Sequence, residues 1–206
     1  MDWTDVSLNK FNELKELILD TELDDEERVM YQIQVLFGED PNKITIPLLR
    51  GYVKEMGFLS KPIPKMRVKD TYTLGGNKYV LRKRLEDFTV AQWMDWQAFI
   101  KENNGSENYP KLLSVFLFPE GHDDYNEGYN IENVRDDIGR YMSIPDAMAV
   151  SSFFLKCHRR LLTRFLLSTL RKTLQTATPL KWKERMKIRM IYWRQIGELI
   201  SGDSSR

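Results

Sequence analysis

The sequence predicts a mainly α-helical protein, a multi-helix bundle with one small β-hairpin inserted after an N-terminal three-helix unit. Three observations carry this expectation. Apolar residues recur at spacings of three and four through most of the chain, which is the period of one helix face. Ser, Thr and Asp stand before those stretches, while Gly, Asn or Pro stand after them. Only the stretch around Gly75-Gly76-Asn77 reads as strand, turn and strand.

Each element follows in order. Ser7 caps a first helix whose face is Leu8, Phe11, Leu14, Leu17 and Ile18. A second helix begins near Asp24 or Asp25, with Glu26 and Glu27 at the positive end of its dipole. Val29, Met30, Ile33, Leu36 and Phe37 form its face, and Gly38 ends it. A third helix runs from Thr45 to Met56 with Pro47 in the first turn, and Leu48, Leu49, Tyr52, Val53 and Met56 are expected to face inward. Lys61-Pro62-Ile63-Pro64 breaks the pattern, because proline restricts both itself and the residue before it. Met66 to Leu74 and Lys78 to Leu81 then form the hairpin arms.

Thr89 and Gln92 have the spacing of a capping box. They open a helix with Val90, Trp93, Met94, Trp96, Gln97 and Ile100, which ends at Asn103-Asn104-Gly105-Ser106. Tyr109 to Phe118 reads as a short helix, apolar on nearly every side. Residues 119–130 form a loop of the Ω type, and a helix from Ile131 to Tyr141 follows. Ser143 and Asp146 cap a long helix from Ile144 to about Gln175. Thr176 to Pro179 stops it, and a last helix spans Lys181 to Ile200. The expected segments are an acidic helical unit (1–60), a linker with the hairpin (61–85), and a helical region ending in two long basic helices (86–206).

With 206 residues, 42% of them hydrophobic and 30% charged, the chain can bury a core and lacks the composition of a disordered protein. The net charge of +1 hides a strong asymmetry. Residues 1–40 hold twelve Asp/Glu against three Lys/Arg, and residues 143–206 hold thirteen Lys/Arg against four Asp/Glu. Such a split suits self-association, an acidic partner or nucleic acid. Met-Asp-Trp-Thr-Asp at the N-terminus lacks the pattern of a secretory signal, and no apolar run is long enough to span a bilayer. A cytoplasmic protein with no membrane partner is the expectation.

Catalytic motifs do not emerge. Cys157 reads as a buried structural thiol, and His158 beside it points about 100° away on a helix. His122, Asp123 and Asp124 with Glu120 and Glu127 lie in the loop, yet their spacing is not that of an EF-hand. Gly75-Gly76 is not followed by the Gly-Lys-Ser/Thr of a phosphate-binding loop. The expectation is therefore a non-enzyme without cofactor or metal. The basic residues Arg159, Arg160, Arg164, Lys183, Arg185, Lys187 and Arg189, interleaved with aromatics, read three ways. They form a solvated helix face, a contact for an acidic protein surface, or a nucleic-acid contact.

The middle of the chain carries an ordered set of motifs. These are Tyr72-Thr73-Leu74-Gly75-Gly76-Asn77-Lys78-Tyr79 and Phe88-Thr89-Val90-Ala91-Gln92-Trp93-Met94-Asp95-Trp96-Gln97. Leu113 to Gly121, Tyr125-Asn126-Glu127-Gly128-Tyr129, Ser143 to Ala147 and Ser152 to Leu155 follow. The set resembles the tail assembly chaperone-like and baseplate-hub assembly proteins of tailed phages, over roughly residues 65–170. The resemblance implies a non-catalytic morphogenesis protein of the bacterial host cytoplasm. Its partner would be a tail, tape-measure or hub protein. A structural component of the virion (portal, neck, tail or internal cargo) is the alternative, and nucleic-acid binding the second alternative. A chaperone for a helical client needs an apolar surface covered only on binding. Trp93, Trp96, Phe116, Phe118, Tyr125 and Tyr129 are the partner-binding candidates, and the competing reading puts the aromatic segments in the core.

Overall fold

The computed structural model describes residues 1–102 and 105–176. Mainly helical, it carries a small antiparallel sheet. The helices are α1 (Leu8–Leu19), α2 (Asp25–Phe37), α3 (Ile46–Glu55), α4 (Val90–Glu102), α5 (Tyr109–Ser114), α6 (Ile131–Tyr141) and α7 (Ile144–Thr176). The strands are β1 (Thr71–Leu74), β2 (Asn77–Leu81) and β3 (Leu117–Pro119), in the order β1-β2-β3. The chain divides into two compact units, Met1–Ser151 and Ser152–Arg206. The expected segments 1–60 and 61–85 both lie in the first unit.

Local chemistry sets most element ends. The Ser7 hydroxyl accepts from the Lys10 amide and starts α1. Asp24 and Glu27 form a reciprocal capping box at α2, and Gly38 closes that helix with φ of 75°. Arg28 donates to the carbonyls of Leu17 and Asp20, which helps satisfy the C-terminal end of α1, and to that of Leu23 in the connection. Lys10 does the same for Leu36 at the end of α2. The first helix also packs on α6, and backbone bonds from Leu8 to Met142 and from Ile144 to Val6 tie its start to the α6–α7 connection.

The hairpin turns on two residues. Leu74 pairs with Asn77, and Gly75 and Gly76 between them have φ of 57° and 87°. Positive φ at both central positions matches the right-handed twist of the strands. This register gives β1 a partner only over Thr71–Leu74, so the strand is shorter than the expected Met66–Leu74 arm. Tyr72, Leu74, Tyr79 and Leu81 point to one buried face, and alternate residues point to solvent.

Three expectations are corrected. The helix expected over Tyr109–Phe118 stops at Ser114, and Leu117–Pro119 instead joins the free edge of β2 as a third strand. A short run such as Val115-Phe116-Leu117-Phe118 is apolar on every side, so its sequence lacks the periodicity that separates strand from helix. Pairing with β2 also satisfies backbone groups that this buried run could not expose to water. The second correction concerns α3: Leu48 and Val53, expected inside, are about half exposed, and the helix has no fully buried residue. It packs mainly on the following turn, Met56–Ser60, and through Tyr52 on Phe37, so only one line of its apolar arc is covered. Third, Ile18, expected on the α1 face, is exposed in the last turn of that helix.

The core of the first unit is built from Leu8, Ile33, Leu36, Trp96, Leu113, Phe116, Leu117, Phe118, Ile138, Met142 and Ile144, all essentially without solvent contact. Among the described residues, no helix is long and apolar enough to cross a membrane. The helix expected over Lys181–Ile200 lies outside the described residues.

Candidate interaction surface

The fourth helix has two apolar sides. The Thr89 amide donates to the Gln92 side chain, and the Gln92 amide donates to the Thr89 hydroxyl. This capping box fixes the rotation of the helix. Gln92 and Trp96 then face inward, and the Gln92 side chain donates to the Val115 carbonyl at 3.2 Å. Trp96 is 0% exposed and meets Phe116 edge-on at 5.5 Å between ring centres, with Phe88 at 6.0 Å and Trp93 at 5.2 Å. At 100° per residue, Val90, Met94 and Ala98 lie within about an 80° arc on the opposite side. Val90 is 77% exposed and Met94 65%, while Ala91 and Ala98 are exposed beside them. Until Lys101 in the last turn, this outward face carries no charge. Trp93 and Gln97, both half-buried, line its edge.

A loop braces the same helix. Residues 120–130 leave β3 and return to α6, with Gly121, Asn126 and Gly128 at positive φ. Tyr125 donates its hydroxyl to Asp95 of α4 at 2.8 Å, and the Tyr129 hydroxyl accepts from the Asn126 amide. Both rings pack on Phe118, whose other contacts include the Arg82 guanidinium at 4.3 Å. Arg82 pairs with Asp123, and Lys78 pairs with Glu120. Burial, and after it the bond to Asp95, pushes the Tyr125 hydroxyl far above the ordinary tyrosine value. His122 stacks edge-on against Tyr129, and a Cβ on Gly128 would press on the His122 ring. This is a folded loop whose tyrosines hold it down.

The six aromatic candidates therefore separate. Trp96, Phe116 and Phe118 are core residues and offer no surface to a partner. Tyr125 and Tyr129 are half-buried loop anchors. Trp93 alone borders the outward face of α4. Val90 and Met94, the residues that dominate that face, were not among the candidates. Their signal was present in the sequence, since Val90, Met94 and Ala98 recur every fourth residue on the side opposite Gln92 and Trp96.

On α7, Lys156, Arg159, Arg160 and Arg164 are exposed, and none forms an ion pair among the described residues. Lys183, Arg185, Lys187 and Arg189 lie outside the described residues. Cys157 is half-buried rather than buried, and burial pushes its thiol up, away from reactive thiolate. Among the described residues, no group of three His, Cys, Asp or Glu is placed to hold a metal ion. A groove of about 550 Å³ beside β2 is lined by Asp70, Arg82, Lys83, Arg84, Asp123 and Asp124, charges that largely pair with one another. Comparison with protein-family models, curated proteins and solved structures gives no match.

Proposed function

We propose that this chain is a non-catalytic assembly protein that binds a helical segment of a protein partner through the outward face of α4. The observation that carries the reading is the uncharged stripe of Val90, Ala91, Met94 and Ala98. Its spacing of four is the ridge that helices use to pack on one another. A second helix laid along it would remove both large side chains from water, a favourable change of roughly 25 cal/mol for each Å² of apolar area. The aromatic floor beneath, Trp93 on Trp96 on Phe116, gives the stripe a rigid base.

The resemblance at residues 65–170 supplies the biological setting of this proposal, phage morphogenesis. The partner is then a tail, tape-measure or hub protein, met in the host cytoplasm during assembly. Co-expression with each such protein of the same phage tests it. The expected result is a co-purifying complex with one of them that Met94→Glu abolishes while the circular dichroism of the variant is unchanged. No complex with any tail component, or a complex indifferent to Met94→Glu, overturns the reading. Mass spectrometry of purified virions separates a transient chaperone from a structural component. The chaperone reading expects absence from finished particles, and a fixed copy number favours the structural reading.

A further inference from the structure

Among the described residues, part of the charge asymmetry of the sequence stands as two exposed surfaces of opposite sign. On α1, α2 and the connection between them, Glu13, Glu16, Asp20, Glu22, Asp24, Asp25, Glu26 and Glu27 are all exposed. Arg28, the basic residue of α2, is already engaged by Asp25 and three backbone carbonyls. Ile18, Leu19 and Tyr31 lie exposed among these carboxylates. In the second unit, Lys156, Arg160 and Arg164 recur every fourth residue along α7, and Arg159 lies beside them. On a helix these four span about 140°. Leu167 is exposed within that arc, and Leu155 about 40° beyond its Arg159 edge.

We infer that the basic-apolar face of α7 docks on the acidic-apolar face of α1 and α2 of a second copy of this chain. Four arguments support that occupant. The charges are opposite; among the described residues the α7 cations have no ion pair, and the acidic side keeps only Asp25 paired, with Arg28. Each surface has exposed large apolar side chains that a charged ligand such as DNA would leave wet. The segment 155–167 and α2 both span 13 residues, about 20 Å each, so the two can lie along one another. Finally, acidic-on-acidic and basic-on-basic pairings of two copies would set like charges against each other, which disfavours those two arrangements. Because the two faces differ, the contact is either made twice in a reciprocal two-fold dimer or repeated head-to-tail in a ring or an open chain. Neither face includes the α4 stripe, so this contact and the proposed client site are independent.

Sedimentation velocity on the full chain tests the inference. Association is expected at about 0.05 M salt and should weaken at least about tenfold at about 0.5 M, as ionic screening shortens. The triple variant Arg159→Glu, Arg160→Glu, Arg164→Glu should be monomeric at low salt. So should Glu16→Lys, Glu22→Lys, Glu26→Lys, with circular dichroism reporting that both are folded. Mixed together, the two variants should associate again, because one now offers only acidic faces and the other only basic ones. A wild-type protein that is monomeric at low salt overturns the inference. So does self-association unchanged in either triple variant, or failure of two folded variants to associate on mixing. A monomeric protein whose binding to duplex DNA falls with salt, and is lost in the arginine variant, assigns the basic face to nucleic acid instead.

Discussion

Helices α4 and α6 are similar in length and both pack against α5, yet they treat their outer faces in opposite ways. In α6 the buried residues are Val134, Ile138 and Gly139, and the exposed side carries Glu132, Asn133, Asp136 and Arg140. In α4 the buried residues are Gln92 and Trp96, and the exposed side carries Val90, Ala91, Met94 and Ala98. One helix places its polar residues in water and its apolar ones in the core. The other buries an amide and exposes a methionine and a valine. The inner contacts of both helices explain the fold. Of the two helices, α4 leaves the more strongly exposed apolar side chains, Val90 and Met94, and these form the proposed partner surface.

Deep substitutions should cost both helices alike. Trp96→Ala and Ile138→Ala remove fully buried side chains, and each is expected to cost about 2–5 kcal/mol in urea unfolding. A small loss at Trp96 would mean that the inner face of α4 is not core. Next in size comes the turn that meets the end of α6. Gly75 has φ of 57°, and a Cβ there would strike the Tyr141 ring. Gly75→Val should cost about 1–3 kcal/mol, read as a fall in the denaturation midpoint.

The two helices also share a device. Tyr79 donates its hydroxyl to Asp137 of α6, as Tyr125 does to Asp95 of α4. Burial raises both hydroxyls, and the bonded carboxylates raise them further; burial also pushes Tyr72 up to about 12. The folded state therefore holds these protons more tightly than the unfolded chain does. Their contribution to stability is complete below about pH 10 and is lost as the pH rises above it. Denaturant midpoints measured across that range should fall, and less steeply in Tyr79→Phe and Tyr125→Phe. Equal slopes in all three proteins would show that these bonds are not coupled to folding. A smaller effect, away from both helices, is Asp24→Ala, which removes the α2 cap and should cost about 1 kcal/mol in the same assay.

Several of these features were legible in the sequence for a local reason. Ser7, Asp24, Gly38, Thr89 and Gln92 act within one turn, so their spacing alone reveals the helix ends. Gly75-Gly76 likewise announces its turn, because few other residues accept positive φ twice in succession. What stayed hidden depends on neighbours distant in the chain. Leu117–Pro119 becomes a strand because β2 has a free edge for it, and no local pattern records that edge. The apolar arc of α3 looks inward-facing in the sequence, but little packs against it, so Leu48 and Val53 stay in water. For the same reason, the aromatic candidates could be named but not sorted. Trp93 and Trp96 are three residues apart, and only the position of Phe116 decides which is core.

The smallest expected change in stability belongs to the proposed partner surface. Met94→Glu and Asp136→Ala sit on the outward faces of α4 and α6, and each should shift stability by no more than about 0.5 kcal/mol. The most direct test of the account places a photocrosslinking residue at position 94 in one protein and at position 136 in another. Both are then expressed with the tail, tape-measure and hub proteins. A crosslink to one of those proteins from position 94, and none from position 136, is the predicted result. Crosslinking from position 136 alone, or equally from both, would contradict a client surface on α4.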